Sequence, residues 1–202
     1  MVKKITTGEF LTNTYLLIEN QKCIVVDPGL HFSQYAQQIK QEYEVIAVLI
    51  THGHLDHIDG ISYFDVPIYF PKLDEKFLKD DRLSLYAPFF KKKTFLLEQK
   101  HIILVEDGTE FNLLKYHFKV IHTPGHTIGS VCYFCEEGLF CGDTLFHLSV
   151  GRTDFPTGDY NQLQQSLKKL IAMIPSKTIL YPGHQELTTM EKECDENPYL
   201  RI

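Results

Sequence analysis

Continuous apolar runs along the chain predict strands. Residues 45–50, VIAVLI, are all apolar and mostly β-branched, which is typical of a strand covered on both faces. Residues 23–26 form a similar run that the turn-forming Asp27-Pro28-Gly29 ends. Further strands are predicted, in order, over residues 66–70, 101–105, 118–122, 130–135, 138–141 and 178–181.

Apolar residues at helical spacing predict helices between these strands. One amphipathic helix is expected over residues 32–43, and a second carries Leu163, Leu167 and Leu170, with Asp159 as its cap and Pro175 beyond its end. A Thr-x-x-Glu pattern, Thr188 to Glu191, predicts a capping box that opens a short final helix. Because strands and helices alternate, the fold class is α/β.

Composition narrows this picture. A chain of 202 residues, 44% of them hydrophobic, can build one sizeable core, so we expect a single domain over residues 1–202. The net charge of −6 gives no support to nucleic-acid binding, and no apolar run is long enough to span a membrane. Five cysteines and no visible signal peptide predict a protein of the reducing cytoplasm.

Four polar turns directly follow predicted strands, where ligands collect in α/β proteins. They are THGHLDH from residue 51, HTPGH from residue 122, GDT from residue 142 and YPGH from residue 181. Nothing about folding requires three imidazoles and a carboxylate within seven residues. The turns supply seven candidate metal ligands: His52, His54, Asp56, His57, His126, Asp143 and His184.

Spacing suggests two metal ions. His52 and His54 are two residues apart, so in extended backbone they leave the same face and can bind one ion. Asp56 and His57 are adjacent in a turn and could point to a second ion, although spacing alone does not fix which ion takes which ligand. Imidazole and carboxylate without thiolate suit zinc, with iron or manganese as alternatives.

The motifs resemble the metallo-β-lactamase superfamily: HxHxDH, then TPGHTIGS, GDTLF and YPGH. With GRTDFPTGD from residue 151, the chain is most similar to the short hydroxyacylglutathione hydrolases of glyoxalase II type. This resemblance implies an αβ/βα four-layer sandwich, two mixed β-sheets with helices on the outer faces. It also implies one metal on His52, His54 and His126, another on Asp56, His57 and His184, and Asp143 bridging them.

The resemblance further implies hydrolysis of a small-molecule thioester such as S-lactoylglutathione, by a hydroxide held between the metals. Asp56 and Asp143 would be the catalytic carboxylates, and the site's net positive charge predicts an anionic substrate. Arg152 could bind a substrate carboxylate, or could pair with Asp154 instead. Gln185 stands where relatives usually have Gly, which leaves the shape of that loop open.

Two other functions compete with this hypothesis. A persulfide dioxygenase of the same fold would hold a single iron on His52, His126 and Asp143, and a non-catalytic metal-binding module is a third reading. β-Lactam hydrolysis is less favoured, because members with that activity commonly have Cys where this chain has Asp143.

The remaining features have ordinary interpretations. Cys132 and Cys135 are three apart, so a strand would direct the two thiols to opposite faces, and we expect both to be packed. Cys141 could approach the site and be sensitive to oxidation. Residues 72–100 are apolar without clear periodicity and could be core, a lid or a dimer surface. The basic run Lys91-Lys92-Lys93 is expected to be a solvated face.

Overall fold

The computed structural model of the chain describes residues 1–89 and 100–201. Its first sheet joins six described strands in chain order. The first three pair antiparallel and the rest parallel. The strands are Val2–Thr7, Thr12–Glu19, Lys22–Val26, Glu44–Leu49, Ile68–Pro71 and Ile102–Val105.

The second sheet also joins six of the described strands, and it is mixed. Ile179–Pro182 pairs parallel with Gly138–Gly142, while the other neighbours pair antiparallel. Across the sheet the order is Thr188–Thr189, Ile179–Pro182, Gly138–Gly142, Val131–Cys135, Tyr116–His122 and Glu110–Leu113. A short ribbon of Leu145–Phe146 and Ser149–Val150 lies beside it.

Helices connect and cover these sheets. The α-helices of the described chain are Ser33–Glu42, Leu55–Ile58, Tyr86–Phe89, Tyr160–Met173 and Met190–Glu196. Its 3₁₀ helices are Asp59–Tyr63, Lys72–Leu78 and Pro198–Leu200. None of these described helices is long and apolar enough to cross a membrane.

Three apolar clusters show that the layers stack as helix, sheet, sheet, helix. One cluster joins Ala36 and Ile39 of the first long helix to the outer face of the first sheet. The middle cluster lies between the sheets and contains Leu17 from one and Phe118 from the other. The third packs Leu167 and its helix against the second sheet. This arrangement confirms the predicted αβ/βα sandwich.

The structure confirms each predicted strand to within about two residues at either end. It also confirms both long helices and Asp159 as N-cap, since the Asp159 carboxylate accepts a hydrogen bond from the backbone N–H of Gln162. The predicted capping box is wrong by one residue. Thr189 is the N-cap of the final helix, whereas the Thr188 hydroxyl donates instead to the buried carboxylate of Glu193.

The sequence pattern missed six of the described strands, and one of them, Thr12–Glu19, is almost wholly buried despite its polar start. Buried Thr12, Asn13 and Thr14 satisfy their side chains by hydrogen bonds to Asp56, to the backbone oxygen of Pro182 and to that of Asp27. The polar residues at its start therefore masked the strand pattern, because they form hydrogen bonds with neighbouring loops and do not pack in the apolar core.

The cysteine prediction is confirmed. Cys132 packs in the cluster on the outer side of the second sheet and Cys135 in the cluster between the sheets, so their thiols leave opposite faces. Cys141 is also buried, and burial raises the pKa of its thiol well above the usual range, which disfavours the reactive thiolate.

Residues 72–89 belong partly to the core, because Phe77, Leu78 and Tyr86 are buried. Phe89 at their end is half exposed. The run Lys91-Lys92-Lys93 lies outside the described residues.

Leu17 provides a test of the packing between the sheets. Leu17→Ala removes a fully buried side chain and should lower the free energy of unfolding by about 2–5 kcal/mol, measured by urea denaturation. Leu104→Ala is the matched control: this leucine is 40% exposed, and its loss should change stability by less than about 1 kcal/mol. Equal effects of the two variants would contradict the assignment of the core.

Candidate metal centre

Four loops meet at the ends of strands from both sheets and bring the seven candidate ligands together. Residues 52–57 follow Glu44–Leu49, and His126 follows Tyr116–His122 after a short turn. Asp143 and His184 come directly after Gly138–Gly142 and Ile179–Pro182. Their potential ligand atoms form three groups, each within 4.8 Å: His52, His54 and His126; His52, His57 and Asp143; Asp56, His57 and His184.

Three imidazoles make up the first group. The rings of His52, His54 and His126 have centroids 4.6–4.8 Å apart and stand nearly perpendicular to one another. Nδ1 of His54 lies 2.9 Å from Nε2 of His126. All three side chains are buried, and this spacing allows three nitrogens to point at one cation.

Asp143 lies between the first group and the group of Asp56, His57 and His184, which is called the second group below. Its Oδ1 is 3.3 Å from Nε2 of His57, while its Oδ2 is 3.3 Å from Nε2 of His184 and 3.5 Å from Nε2 of His126. Asp56 approaches the same region, with its Oδ2 3.4 Å from Nε2 of His184. The carboxylate of Asp143 therefore faces members of both groups, as a bridging ligand would.

Buried polar atoms at the centre of this cluster have no hydrogen-bond partner. Three of them are Nε2 of His52, Nε2 of His57 and Oδ1 of Asp143. A buried polar atom without a partner is costly, and these three point into a cluster of ligand-type groups. The residues present thus fit metal ions, and the cluster can bind them.

Hydrogen bonds on the far side of the rings fix the nitrogen that faces the cluster. Nδ1 of His57 lies 3.0 Å from the carboxylate of Asp27, and Nδ1 of His126 lies 2.7 Å from the backbone oxygen of Arg152. Because these oxygens only accept, each Nδ1 carries a proton, so Nε2 is the nitrogen that can bind a metal.

Asp27 supports two candidate ligands, although the sequence showed it only as part of a turn. Its buried carboxylate accepts hydrogen bonds from the backbone N–H and the hydroxyl of Thr51, as well as facing His57. The Thr51 hydroxyl lies in turn 3.2 Å from Nδ1 of His52. One carboxylate therefore orients two candidate ligands, and its left-handed backbone, with φ of 49°, is of a kind often found at functional sites.

Asp74 is a second residue of this kind, in a segment that sequence patterns could not interpret. Its fully buried carboxylate accepts from the backbone N–H of Gly53 at 2.9 Å and of Gly129 at 2.8 Å, and from the hydroxyl of Thr127 at 2.7 Å. Asp74 therefore ties the loop of His52 and His54 to the loop of His126. Burial raises the pKa of its carboxyl to about 6, although these hydrogen bonds oppose the shift.

The first group of imidazoles is held neutral. Burial, reinforced by neighbouring imidazoles, lowers the pKa of His52 and of His54 well below the usual range for histidine. Burial also lowers the pKa of His126. Neutral imidazole is the form that binds metal.

Charge attraction dominates the second group. Although burial on its own lowers the pKa of His57 and His184, nearby Asp56 and Asp143 raise the pKa of His57 well above its usual range and that of His184 to about 10. In return, despite burial, these histidines hold the pKa of both carboxyls below the usual range. The carboxylates thus attract positive charge here, and a bound cation would displace the protons.

Two loop residues beside His184 shape the site. A Cβ on Gly183 would lie 2.2 Å from Oδ1 of Asp143, so only glycine lets the backbone pass this close. Gln185 has a φ of 69°, the left-handed conformation that Gly would favour, and its backbone oxygen accepts from the side-chain amide of Asn13. The backbone at Gln185 is therefore left-handed although the residue is not glycine.

A cavity of about 410 Å³ opens above the cluster. Arg152 lines it, but its guanidinium donates to both carboxylate oxygens of Asp154 at 2.6 Å. The structure thus contains the ion pair between Arg152 and Asp154. The backbone oxygen of Arg152 also contacts Nδ1 of His126, which the sequence did not predict. The other lining residues are Phe10, His54, Leu55, Asp56, Leu85, Phe89, His126, Asp143, Phe146, Ser149, Val150, Phe155, His184 and Gln185.

The remaining described histidines lie outside the cluster. Nε2 of His122 bonds to the backbone oxygen of Ile128, and His147 lies against the buried carboxylate of Glu193. Exposed His31 and His117 face carboxylates at the surface.

His54→Ala tests the first group of ligands. Loss of one of three imidazoles should remove metal from that group, halving metal content by elemental analysis and lowering any metal-dependent activity by several orders of magnitude. His101→Ala, at an exposed histidine outside the cluster, is the control. A His54→Ala protein with unchanged metal content would contradict the assignment.

Asp27→Asn tests the outer hydrogen bonds. The amide has one accepting oxygen where the carboxylate has two, so it cannot accept all three hydrogen bonds from the backbone N–H of Thr51, the hydroxyl of Thr51 and His57. Metal affinity should therefore fall about 10–100-fold in competition with a chelator. Asp65→Asn, at an exposed loop residue, should bind metal like the unaltered protein. Equal affinities for all three proteins would show that Asp27 has no part in orienting His57.

Comparison with known proteins agrees with the fold. Residues 7–184 match the metallo-beta-lactamase superfamily. The chain is 30% identical to the probable metallo-hydrolase YqgX of Bacillus subtilis, over 98% of this chain and 96% of that protein. It is also 30% identical to the hydroxyacylglutathione hydrolase GloC of Haemophilus influenzae, over 98% of this chain and 97% of that protein.

Solved structures extend the likeness to three dimensions. The BLEG-1 B3 metallo-beta-lactamase has a TM-score of 0.92 at 33% identity, covering 100% of both chains. TTHA1623 in a di-iron-bound form has a TM-score of 0.84 at 30% identity, covering 98% of this chain and 100% of that one. For ETHE1 from Myxococcus xanthus the TM-score is 0.77 at 25% identity, covering 98% and 83%. The chain therefore belongs to the metallo-β-lactamase superfamily, whose members include metallo-hydrolases.

Proposed function

We propose that this protein hydrolyses a thioester, using two divalent metal ions held by the seven clustered side chains. The observation that carries the proposal is the position of Asp143, whose two carboxylate oxygens face histidines of both groups at the floor of an open cavity. In the reaction, water adds to the acyl carbon, the C–S bond breaks, and a carboxylic acid and a thiol are released.

The similarity to GloC of Haemophilus influenzae, a hydroxyacylglutathione hydrolase, supports the thioester as substrate, because it spans nearly the whole of both chains. The metals follow from the ligands: His52, His54 and His126 would hold one ion, and Asp56, His57 and His184 the other. Zinc suits these nitrogen and oxygen ligands, and the di-iron form of TTHA1623 makes iron the first alternative.

Each part of the chain has a definable task in this reaction. When bound, the metals supply an activated water and polarise the substrate carbonyl. Asp27 and the backbone oxygen of Arg152 keep the protons of His57 and His126 on Nδ1, away from the metals. The Thr12 hydroxyl donates to Oδ2 of Asp56 at 2.8 Å and so orients that carboxylate. These contacts fix the ligands before the substrate arrives.

We also assign this activity to the reducing cytoplasm, because all five cysteines are free thiols.

Purified protein loaded with zinc or iron should hydrolyse S-lactoylglutathione, followed by loss of thioester absorbance and by release of thiol. A chelator should abolish the activity and added metal restore it. Asp143→Asn should lower kcat/KM at least about 100-fold, since even substitutions of outer partners cost 10–100-fold. The exposed Asp65→Asn protein is the control.

The second candidate function is oxidation of glutathione persulfide, and the similarity to ETHE1 supports it. In that case a single iron would be held by His52, His126 and Asp143. Oxygen uptake with that persulfide and hydrolysis of a β-lactam are measured on the same preparations. Oxygen uptake or β-lactam cleavage without any thioester hydrolysis would overturn the proposed function.

A further inference from the structure

Aromatic rings flank both ends of the metal cluster. Phe155 packs edge-on against His54, with ring centroids 5.6 Å apart, and Phe146 packs edge-on against His184 at 5.7 Å. One ring thus lies beside each group of ligands. A substrate whose reacting carbon sits over the cluster must extend along apolar walls.

Two further rings form the outer part of the cavity. Phe10 lies in the turn between the first two strands, and Phe89 ends the helix Tyr86–Phe89. Their rings meet edge to face with centroids 5.1 Å apart, yet the residues stay 37% and 49% exposed. Partly exposed aromatic surface at the mouth of a cavity is typical of a binding surface.

Among the described residues, lysine and arginine are scarce on the aromatic wall, the side of the cavity formed by Phe10, Phe89 and Phe155. Among the described residues that line the cavity, Arg152 is the one lysine or arginine. Its Nε and Nη2 both donate to Asp154, and its guanidinium lies 4.0 Å from the centre of the Phe155 ring. A substrate with several charges, such as a glutathione ester, would lose water here without gaining comparable partners from these residues.

From these contacts we propose that the cavity selects thioesters with an apolar acyl group, a straight chain of several carbons or an aryl-substituted chain. This inference rests on the proposed hydrolysis and defines its substrate class. The acyl chain packs among Phe10, Phe89 and Phe155, while the carbonyl faces the cluster. Each methylene buried there should improve kcat/KM about fourfold.

The test uses the metal-loaded full chain and four substrates. Three are the acetyl, butyryl and hexanoyl thioesters of N-acetylcysteamine, which share one small uncharged thiol, and the fourth is S-lactoylglutathione. We expect kcat/KM to rise along the series, with the hexanoyl ester at least about tenfold above the acetyl ester. The kcat/KM of the hexanoyl ester should also exceed that of S-lactoylglutathione.

Variants locate the effect on the wall. Phe89→Ala and, separately, Phe10→Ala should lower the ratio of hexanoyl to acetyl kcat/KM several-fold, and both side chains are exposed enough for their loss to leave folding intact. Leu104→Ala removes an exposed leucine outside the cavity and should leave that ratio unchanged. Binding of hexanoate should likewise exceed binding of acetate by calorimetry, which needs no turnover.

The outcomes separate the two proposals. Equal rates along the series, or preference for S-lactoylglutathione over the hexanoyl ester, would overturn the apolar specificity and leave thioester hydrolysis standing. Cleavage of none of the four esters would overturn the proposed function. In that case the calorimetry still tests whether the aromatic wall binds apolar chains. Equal binding of hexanoate and acetate would contradict that binding.

Discussion

The rest of this structure depends on one constraint, the attraction between buried imidazoles and carboxylates. Together these groups favour a cation among them. His57 and Asp143 are buried with facing atoms that make no hydrogen bond. Such an arrangement is costly unless positive charge lies among the groups. Protons on the histidines supply part of that charge, and bound metal ions would supply the rest.

The sandwich supplies the rigidity that this cluster requires. Each ligand loop begins where a buried strand ends, so the apolar contacts between the sheets fix the loops' starting points. Asp27 and Asp74 then connect loops that lie far apart in the chain. A change in either carboxylate acts through the orientation of histidines, without contact with the reacting atoms.

In the proposed function, the floor of the cavity carries out the reaction and its walls select the substrate. The candidate metal ligands lie on its floor, whereas the aromatic rings on its walls come from the turn at Phe10, the helix Tyr86–Phe89 and the loop of Phe155. Loops of this kind vary more readily than strands, so a common fold can take different substrates. In this chain the wall is mainly apolar.

The sequence by itself determined the α/β class, both long helices and most strands, because buried strands and amphipathic helices leave clear periodic patterns. It also identified the seven candidate ligands, since histidines and carboxylates crowded at strand ends have no role in folding. Thr12–Glu19 was missed because its polar side chains are buried by hydrogen bonds rather than by apolar packing.

Only the tertiary structure decided how these residues act on one another. Asp27 and Asp74 look like ordinary loop residues in the chain, and their side-chain contacts are with partners 21 to 55 positions away. The pairing of Arg152 with Asp154 and the aromatic wall are decided in the same way. A local pattern records whether a residue is buried, but hydrogen bonds between distant loops depend on directions and distances that only the packed chain sets.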